Sequence, residues 1–231
     1  MEKEMWLIWK HPETRRRYKI GSLSYDNKFY TFEYVNPELN DALKVGFKFF
    51  PGFEDINKTY TSDKLFANIE TRLPNKARKD YLEILNSYNL EQDATELEIL
   101  KATKGRLLTD NYEFVPAFDT NKVEFDVAGT RYCTDIDYCK KIININDRLL
   151  LYLESDNKYD KYAIRVILKK DEKEYHIGYV PRYYSKELTK MLKSNIEYSA
   201  LIKSLNFESD FSDEDITAFV KLIFNNKTNL K

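Results

Sequence analysis

The sequence predicts an α+β protein in which an antiparallel β meander with a helical hairpin precedes a small β-barrel with flanking helices. Polar and apolar residues alternate over residues 17–23 and 29–34, and a period of two is typical of strands with one buried face. Apolar residues at helical spacing then lie between residues 80 and 105, and short apolar strands return from Val123 onward. We therefore expect two domains, residues 1–120 and 121–231.

The first domain is expected to begin with three strands between residues 5 and 35, with a turn at Asp26-Asn27. Residues 47–50 form a further candidate strand, which Pro51 and Gly52 would end.

The hairpin would pair a helix over residues 80–88 with a second helix that starts at Asp93. Glu96 lies three residues after Asp93, which is the spacing of a capping box, and Gly105 would end this helix. Residues 107–122 are interpreted as a connector, because Pro116 and a run of polar residues follow a short extended stretch.

The second domain is predicted to contain five strands and two helices. The last helix would begin with Ser212 as its N-cap and extend to residue 225, burying Ile216, Phe219, Val220, Ile223 and Phe224 on one face. The other predicted elements are strands at 123–127, 148–154, 162–168, 174–180 and 198–204, and a helix at 185–192.

Composition excludes several classes of protein. Lys and Arg number 37 against 38 Asp and Glu, so a histone-like protein that binds nucleic acid through bulk positive charge is excluded. Cys133 and Cys139 are too few for a disulfide framework. Neither a signal peptide nor an apolar run of about 20 residues is recognisable. We expect a cytoplasmic protein that does not enter a membrane.

The sequence also lacks the usual signatures of catalysis. No Gly-rich phosphate loop and no G-x-S-x-G elbow is present, and His11 and His176 are the only histidines. The C-x5-C spacing of the cysteines matches no common zinc site. We expect no enzyme activity, no catalytic residue, no metal and no cofactor.

Three segments of the second half stand in a fixed order, at residues 127–132, 149–166 and 176–182. Each reads as a strand that leads into a loop with aromatic, Arg and carboxylate side chains. Tyr rings stack on bases, Arg side chains bind phosphates and carboxylates accept hydrogen bonds from sugar hydroxyls. The side chains expected in the barrel core are Val127, Leu149, Leu151, Ala163, Ile164, Val166, Ile177 and Val180.

These segments resemble a HIRAN domain over about residues 123–203. The matching features are a Gly followed by an aromatic residue in V-A-G-T-R-Y, the stretch N-K-Y-D-K-Y-A-I, and the closing I-G-Y-V-P-R. Lys158 departs from the family pattern, which has Pro at that position. The resemblance implies an OB-like β-barrel that binds single-stranded DNA at a free 3′ end.

The resemblance also implies roles for individual residues. Arg131 and Arg182 would bind phosphates, and Tyr132 and Tyr159 would stack on bases.

Asp160 would bind the terminal 3′ hydroxyl, and Asn157 and Tyr179 would line the pocket. A structural explanation stays open for the same residues. An Asx-turn at Asn157 would account for that residue and Asp160 without a ligand, Tyr132 could be a half-buried barrel residue, and Arg182 could pair with a surface carboxylate.

Residues 5–75 resemble, more weakly, the N-terminal subdomain of HipA-type serine/threonine kinases. The matching features are I-G-S-L-S-Y at 20–25, the alternation at 30–34, L-F-A-N at 65–68 and R-L-P at 72–74. This resemblance implies an alternative function, in which the chain is an antitoxin-like docking partner of a separately encoded HipA-like kinase. A β domain that only supports the barrel is the other interpretation.

Overall fold

The computed structural model describes residues 3–207 and 216–225. The chain divides into two compact units, Met1–Ala117 and Phe118–Lys231. Within the described ranges, no helix is both long and apolar enough to cross a membrane.

The first unit is built on a five-stranded antiparallel sheet with the order β4-β3-β2-β1-β5. The predicted turn forms between β2 and β3, where the Asp26 carboxylate accepts hydrogen bonds from the backbone N–H groups of Lys28 and Phe29 at 2.8 and 2.7 Å. The strands are β1 (Lys3–Lys10), β2 (Arg17–Tyr25), β3 (Tyr30–Tyr34), β4 (Tyr60–Ser62) and β5 (Tyr112–Pro116).

Four helices accompany this sheet, α1 (Glu38–Lys44), α2 (Ala67–Glu70), α3 (Tyr81–Ser87) and α4 (Glu96–Thr103). The capping box of α4 is formed by Thr95 and Glu98, so the predicted start at Asp93 was wrong. The predicted pair and the observed pair both have the spacing of a capping box. In the structure, the Thr95 hydroxyl accepts a hydrogen bond from the N–H of Glu98, and the Glu98 carboxylate accepts one from the N–H of Thr95.

Two other predictions for the first half were wrong. Residues 47–50 do not form a strand, because Phe47 and Phe50 are buried in an aromatic cluster in which Phe32 stacks on Phe53. Residues 112–116 are not part of a connector, because they form β5 and pair with β1.

The second unit contains a six-stranded antiparallel sheet with the order β6-β11-β10-β7-β8-β9. All eight side chains expected in the core of this unit are buried. The strands are β6 (Lys122–Asp126), β7 (Arg148–Leu153), β8 (Ile164–Lys170), β9 (Lys173–Tyr179), β10 (Glu197–Asn206) and β11 (Thr217–Asn225), with a 3-10 helix (Thr130–Tyr132), α5 (Ile136–Ile142) and α6 (Arg182–Lys193).

The predicted closed barrel is not confirmed in the described part of the chain. The edge strand β9 reaches the segment that follows β6 only where Ala128 and Tyr179 form an isolated bridge, with N···O distances of 2.9 and 2.7 Å. Gly178 permits this approach, since a Cβ there would lie 2.5 Å from Val127 Cγ1.

The predicted C-terminal helix was wrong for residues 217–225, which form β11, and Ser212 lies outside the described residues. Ala218, Val220, Leu222 and Phe224 are buried, which is a period of two. A short apolar run fits a strand or a helix equally well. Residues 217–225 form a strand because they pair with β10 on one side and with β6 on the other.

Candidate nucleic-acid interface

A turn after β6 presents two of the predicted site residues. Gly129 adopts the left-handed conformation with φ of 73° and is followed by the 3-10 helix that carries Arg131 and Tyr132. The Tyr132 side chain is 73% exposed, so it is not a half-buried core residue. The Arg131 guanidinium lies 4.8 Å from the centroid of the Tyr132 ring, and its Nη2 donates to the Tyr132 hydroxyl at 2.7 Å.

Tyr179 lies beside this turn because its backbone is bridged to Ala128. A Cβ built on Gly129 would be 3.6 Å from Cδ2 of Tyr179 and 3.8 Å from Cδ2 of Tyr132. The two rings therefore flank the same glycine.

The loop after β7 is organised by Asn157. Its Oδ1 accepts hydrogen bonds from the backbone N–H groups of Tyr159 and Asp160 at 2.9 and 3.1 Å, and its Nδ2 donates to the Glu154 carboxylate at 2.7 Å. Asp160 Oδ1 in turn accepts from the N–H of Tyr162 at 2.9 Å. Both side chains thus form the local contacts that the Asx-turn explanation requires, and a ligand-binding role for Asn157 and Asp160 stays a prediction.

The same loop exposes Tyr159 and contacts α6. The Tyr159 side chain is 85% exposed, and its carbonyl oxygen accepts a hydrogen bond from Arg182 Nη1 at 3.0 Å. Arg182 is the first residue of α6. Its contact is to a backbone carbonyl and not to a surface carboxylate, so other N–H groups of the guanidinium stay available.

Glu154 connects the loop to the turn. The Tyr179 hydroxyl donates to its carboxylate, and burial together with this hydrogen bond raises the pKa of Tyr179 to about 12. The seven predicted site residues thus lie on neighbouring elements of the second unit, since Tyr132 and Tyr179 flank Gly129 and Glu154 links Tyr179 to Asn157. This set of residues is called the patch below and consists of Arg131, Tyr132, Asn157, Tyr159, Asp160, Tyr179 and Arg182.

Residues 120–214 match the family model of the HIRAN domain. This segment of the chain is a HIRAN domain. Among solved structures, the chain is similar to the HIRAN domain of human HLTF, with 19% identity over 45% of this chain and 74% of that one and a TM-score of 0.35. It is also similar to a protein from Lactobacillus plantarum, with 22% identity over 45% of this chain and 92% of that one and a TM-score of 0.33.

No curated protein matches the chain significantly. The family match lies outside residues 5–75, so the resemblance of that region to HipA-type kinases stays a prediction. The same holds for a kinase partner.

Sequence reasoning missed other residues of the HIRAN domain that border this patch, namely Tyr152, Glu154 and Arg165. Tyr152 on β7 and Tyr179 on β9 are both direct partners of Arg165 on β8. Arg165 alternates with the buried residues Ile164 and Val166, which was the available signal that its side chain leaves the core.

The half-buried His176 contacts Tyr179 of the patch. Its ring lies 4.7 Å from the Tyr179 ring at right angles, and its Nε2 is 2.9 Å from the carbonyl oxygen of Gly178. Because a carbonyl only accepts, Nε2 carries the proton and Nδ1 faces Cys133 Sγ at 3.8 Å. Burial and the charge of Arg165 lower the pKa of His176, so the imidazole is neutral at pH 7.

The patch offers aromatic faces, guanidinium groups and a carboxylate within one HIRAN domain. These groups suit stacking, phosphate binding and recognition of a hydroxyl, respectively. In residues 3–207 and 216–225, no cluster of three or more His, Cys, Asp or Glu side chains is suited to a metal ion.

Proposed function

We propose that the chain is a non-catalytic nucleic-acid-binding protein whose HIRAN domain binds single-stranded DNA at a 3′ end. The observation that carries this proposal is the exposure of Tyr132 and Tyr159 beside Arg131 and Arg182. A large aromatic ring held in water next to a guanidinium has a natural ligand in a base with its phosphate.

Energetic considerations predict modest affinity. Two stacked bases contribute about 2–6 kcal/mol, whereas micromolar affinity requires about 8 kcal/mol. Phosphate contacts supply the difference. The logarithm of the binding constant should therefore fall with the logarithm of the salt concentration, with a slope of about −0.7 for each contact.

Asp160 is the residue proposed to select the 3′ end. One of its carboxylate oxygens accepts from the Tyr162 N–H, and the other makes no hydrogen bond in the described part of the chain. The second oxygen is thus able to accept from a terminal hydroxyl. A terminal phosphate would be repelled by the same carboxylate.

The test is fluorescence anisotropy with a short single-stranded oligonucleotide that ends in a 3′ hydroxyl. Tyr159→Ala and Asp160→Ala should each weaken binding, while Tyr88→Ala, which removes an exposed Tyr at the C-cap of α3 in the first unit, should not. The parent should also bind the 3′-phosphorylated oligonucleotide more weakly. If Tyr159→Ala and Asp160→Ala bind as well as the parent, the assignment of the patch is wrong.

A further inference from the structure

A row of three side chains crosses the sheet of the HIRAN domain next to the proposed interface. Tyr152, Arg165 and Tyr179 lie directly opposite one another on β7, β8 and β9. Residues in direct register point to the same face of a sheet. Arg165 therefore lies between two Tyr side chains on the face that carries Tyr179.

Arg165 forms no ion pair within the described part of the chain. Its Nε is buried without a hydrogen-bond partner, and within residues 3–207 and 216–225 the guanidinium makes neither an ion pair nor a hydrogen bond. The side chain is half-buried. Removing part of a guanidinium from water is costly unless an anion or an acceptor replaces the lost hydration.

The two carboxylates at the border of the row are bound to other groups. Glu154 accepts from Asn157 and from Tyr179. Glu174 accepts from the Tyr152 hydroxyl at 2.7 Å. These contacts orient the carboxylates and both Tyr rings, and neither carboxylate forms an ion pair or a hydrogen bond with Arg165.

We propose that Arg165 forms a phosphate subsite for the bound single strand, on the sheet face beyond the turn and loop residues. This inference rests on the proposed function. The strand would pass from the rings of Tyr132 and Tyr179 onto the sheet, and one of its internal phosphates would bind the guanidinium between Tyr152 and Tyr179. A phosphate supplies acceptor oxygens for the guanidinium of Arg165, whose buried Nε has no hydrogen-bond partner in the described part of the chain.

The first experiment compares the salt dependence of oligonucleotide binding in the full chain and three variants. Arg165→Gln should weaken binding about tenfold at low salt and reduce the magnitude of the log–log slope by about 0.7, the value for one phosphate contact. Arg165→Lys should keep the slope of the parent. Arg148→Gln is the matched control, because it removes one charge from the exposed first residue of β7, four residues from Tyr152.

The second experiment replaces one phosphate at a time by an uncharged methylphosphonate. The parent should lose affinity at one internal linkage, and Arg165→Gln should show no further loss at that linkage, since the same contact is removed twice. This comparison stays informative if Arg165→Gln is less stable than the parent, because the modified and unmodified oligonucleotides are compared on the same protein.

The possible failures are distinguishable. If the parent binds no single-stranded oligonucleotide, the proposed function fails and this inference with it. If the parent binds and Tyr159→Ala weakens binding, but Arg165→Gln keeps the parental slope, only the phosphate subsite is wrong. An equal loss of slope in Arg148→Gln or in Arg165→Lys would also overturn it.

Discussion

The hydroxyl of Tyr179, the last residue of β9, donates a hydrogen bond to the carboxylate of Glu154, the first residue after β7. Glu154 also accepts from Asn157, whose side chain shapes the loop of Tyr159 and Asp160. A single carboxylate thus couples the exposed loop to the end of the sheet.

Replacing this carboxylate by an amide should disturb both sides of the connection. Glu154→Gln removes the charge that helps to raise the pKa of Tyr179, so that pKa should fall below about 12. Because the amide has one acceptor oxygen where the carboxylate has two, Asn157 Nδ2 and the Tyr179 hydroxyl would compete for it. The loop should therefore loosen, and oligonucleotide affinity should drop several-fold. Ultraviolet titration and anisotropy measure the two effects.

Glu174→Gln is the control for this prediction, because Glu174 forms the corresponding contact with the Tyr152 hydroxyl. It should leave the titration of Tyr179 unchanged. Equal effects of the two variants on Tyr179 would contradict the role assigned to Glu154.

Gly178→Ala should destabilise the second unit by obstructing the bridge between β6 and β9. The new Cβ would lie 2.5 Å from Val127 Cγ1 and 2.6 Å from the carbonyl oxygen of Ala128. Gly46→Ala is the control, since its φ of 101° is also unfavourable for Ala while its surroundings are empty. Denaturant unfolding should show Gly178→Ala about 1–3 kcal/mol less stable than the control, which is the usual cost of overpacking.

The buried carboxylate of Glu113 should make the first unit sensitive to acid. Burial alone would raise the pKa of Glu113, but Arg106, Arg17 and Lys104 outweigh it and hold the pKa far below its ordinary value of 4.5. The unfolded chain therefore takes up the proton first, and stability present above pH 4.5 should be lost as the pH falls further.

Glu113→Gln should destabilise the first unit by about 3 kcal/mol at pH 7, because it leaves Arg17 and Arg106 without their shared counter-charge. Thermal unfolding measures this loss. Asp41→Asn, which removes an exposed partner of Lys44, should have little effect. A Glu113→Gln protein as stable as the parent would show that the cluster contributes nothing.

His176 should report the charge of Arg165. Burial and that charge lower the pKa of His176 below its ordinary value of 6.5, so Arg165→Gln should raise the pKa. As the pH falls, the unfolded chain protonates His176 near pH 6.5, whereas the native protein binds that proton only at lower pH. The stability that comes from the neutral imidazole is therefore complete above pH 6.5 and is lost as the pH falls. NMR titration of the imidazole measures the shift.

Arg148→Gln is again the control and should leave the titration curve of His176 in place. A curve that does not move in Arg165→Gln would mean that the guanidinium is too well solvated to act on the ring. It would contradict the assignment of an unpaired, partly desolvated guanidinium to Arg165.

Several elements could be predicted from the sequence because their signal is local. The alternation at residues 17–23 and 29–34 predicts β2 and β3. The turn residue Asp26 accepts hydrogen bonds from backbone N–H groups only two and three residues further on. The order of the three segments in the second half predicted the HIRAN domain and the exposed residues Tyr132 and Tyr159. These features need only the spacing of side chains along one strand or one loop.

The remaining features depend on contacts between residues far apart in the sequence. The nine residues of β11 (Thr217–Asn225) fit a helix until hydrogen bonds to β6 and β10 fix them as a strand. Residues 112–116 become a strand only beside β1. Arg165 gains its place between Tyr152 and Tyr179 from the register of three strands. Periodicity along one segment cannot specify such pairings, because the partner groups belong to other segments and are positioned only when the whole sheet forms.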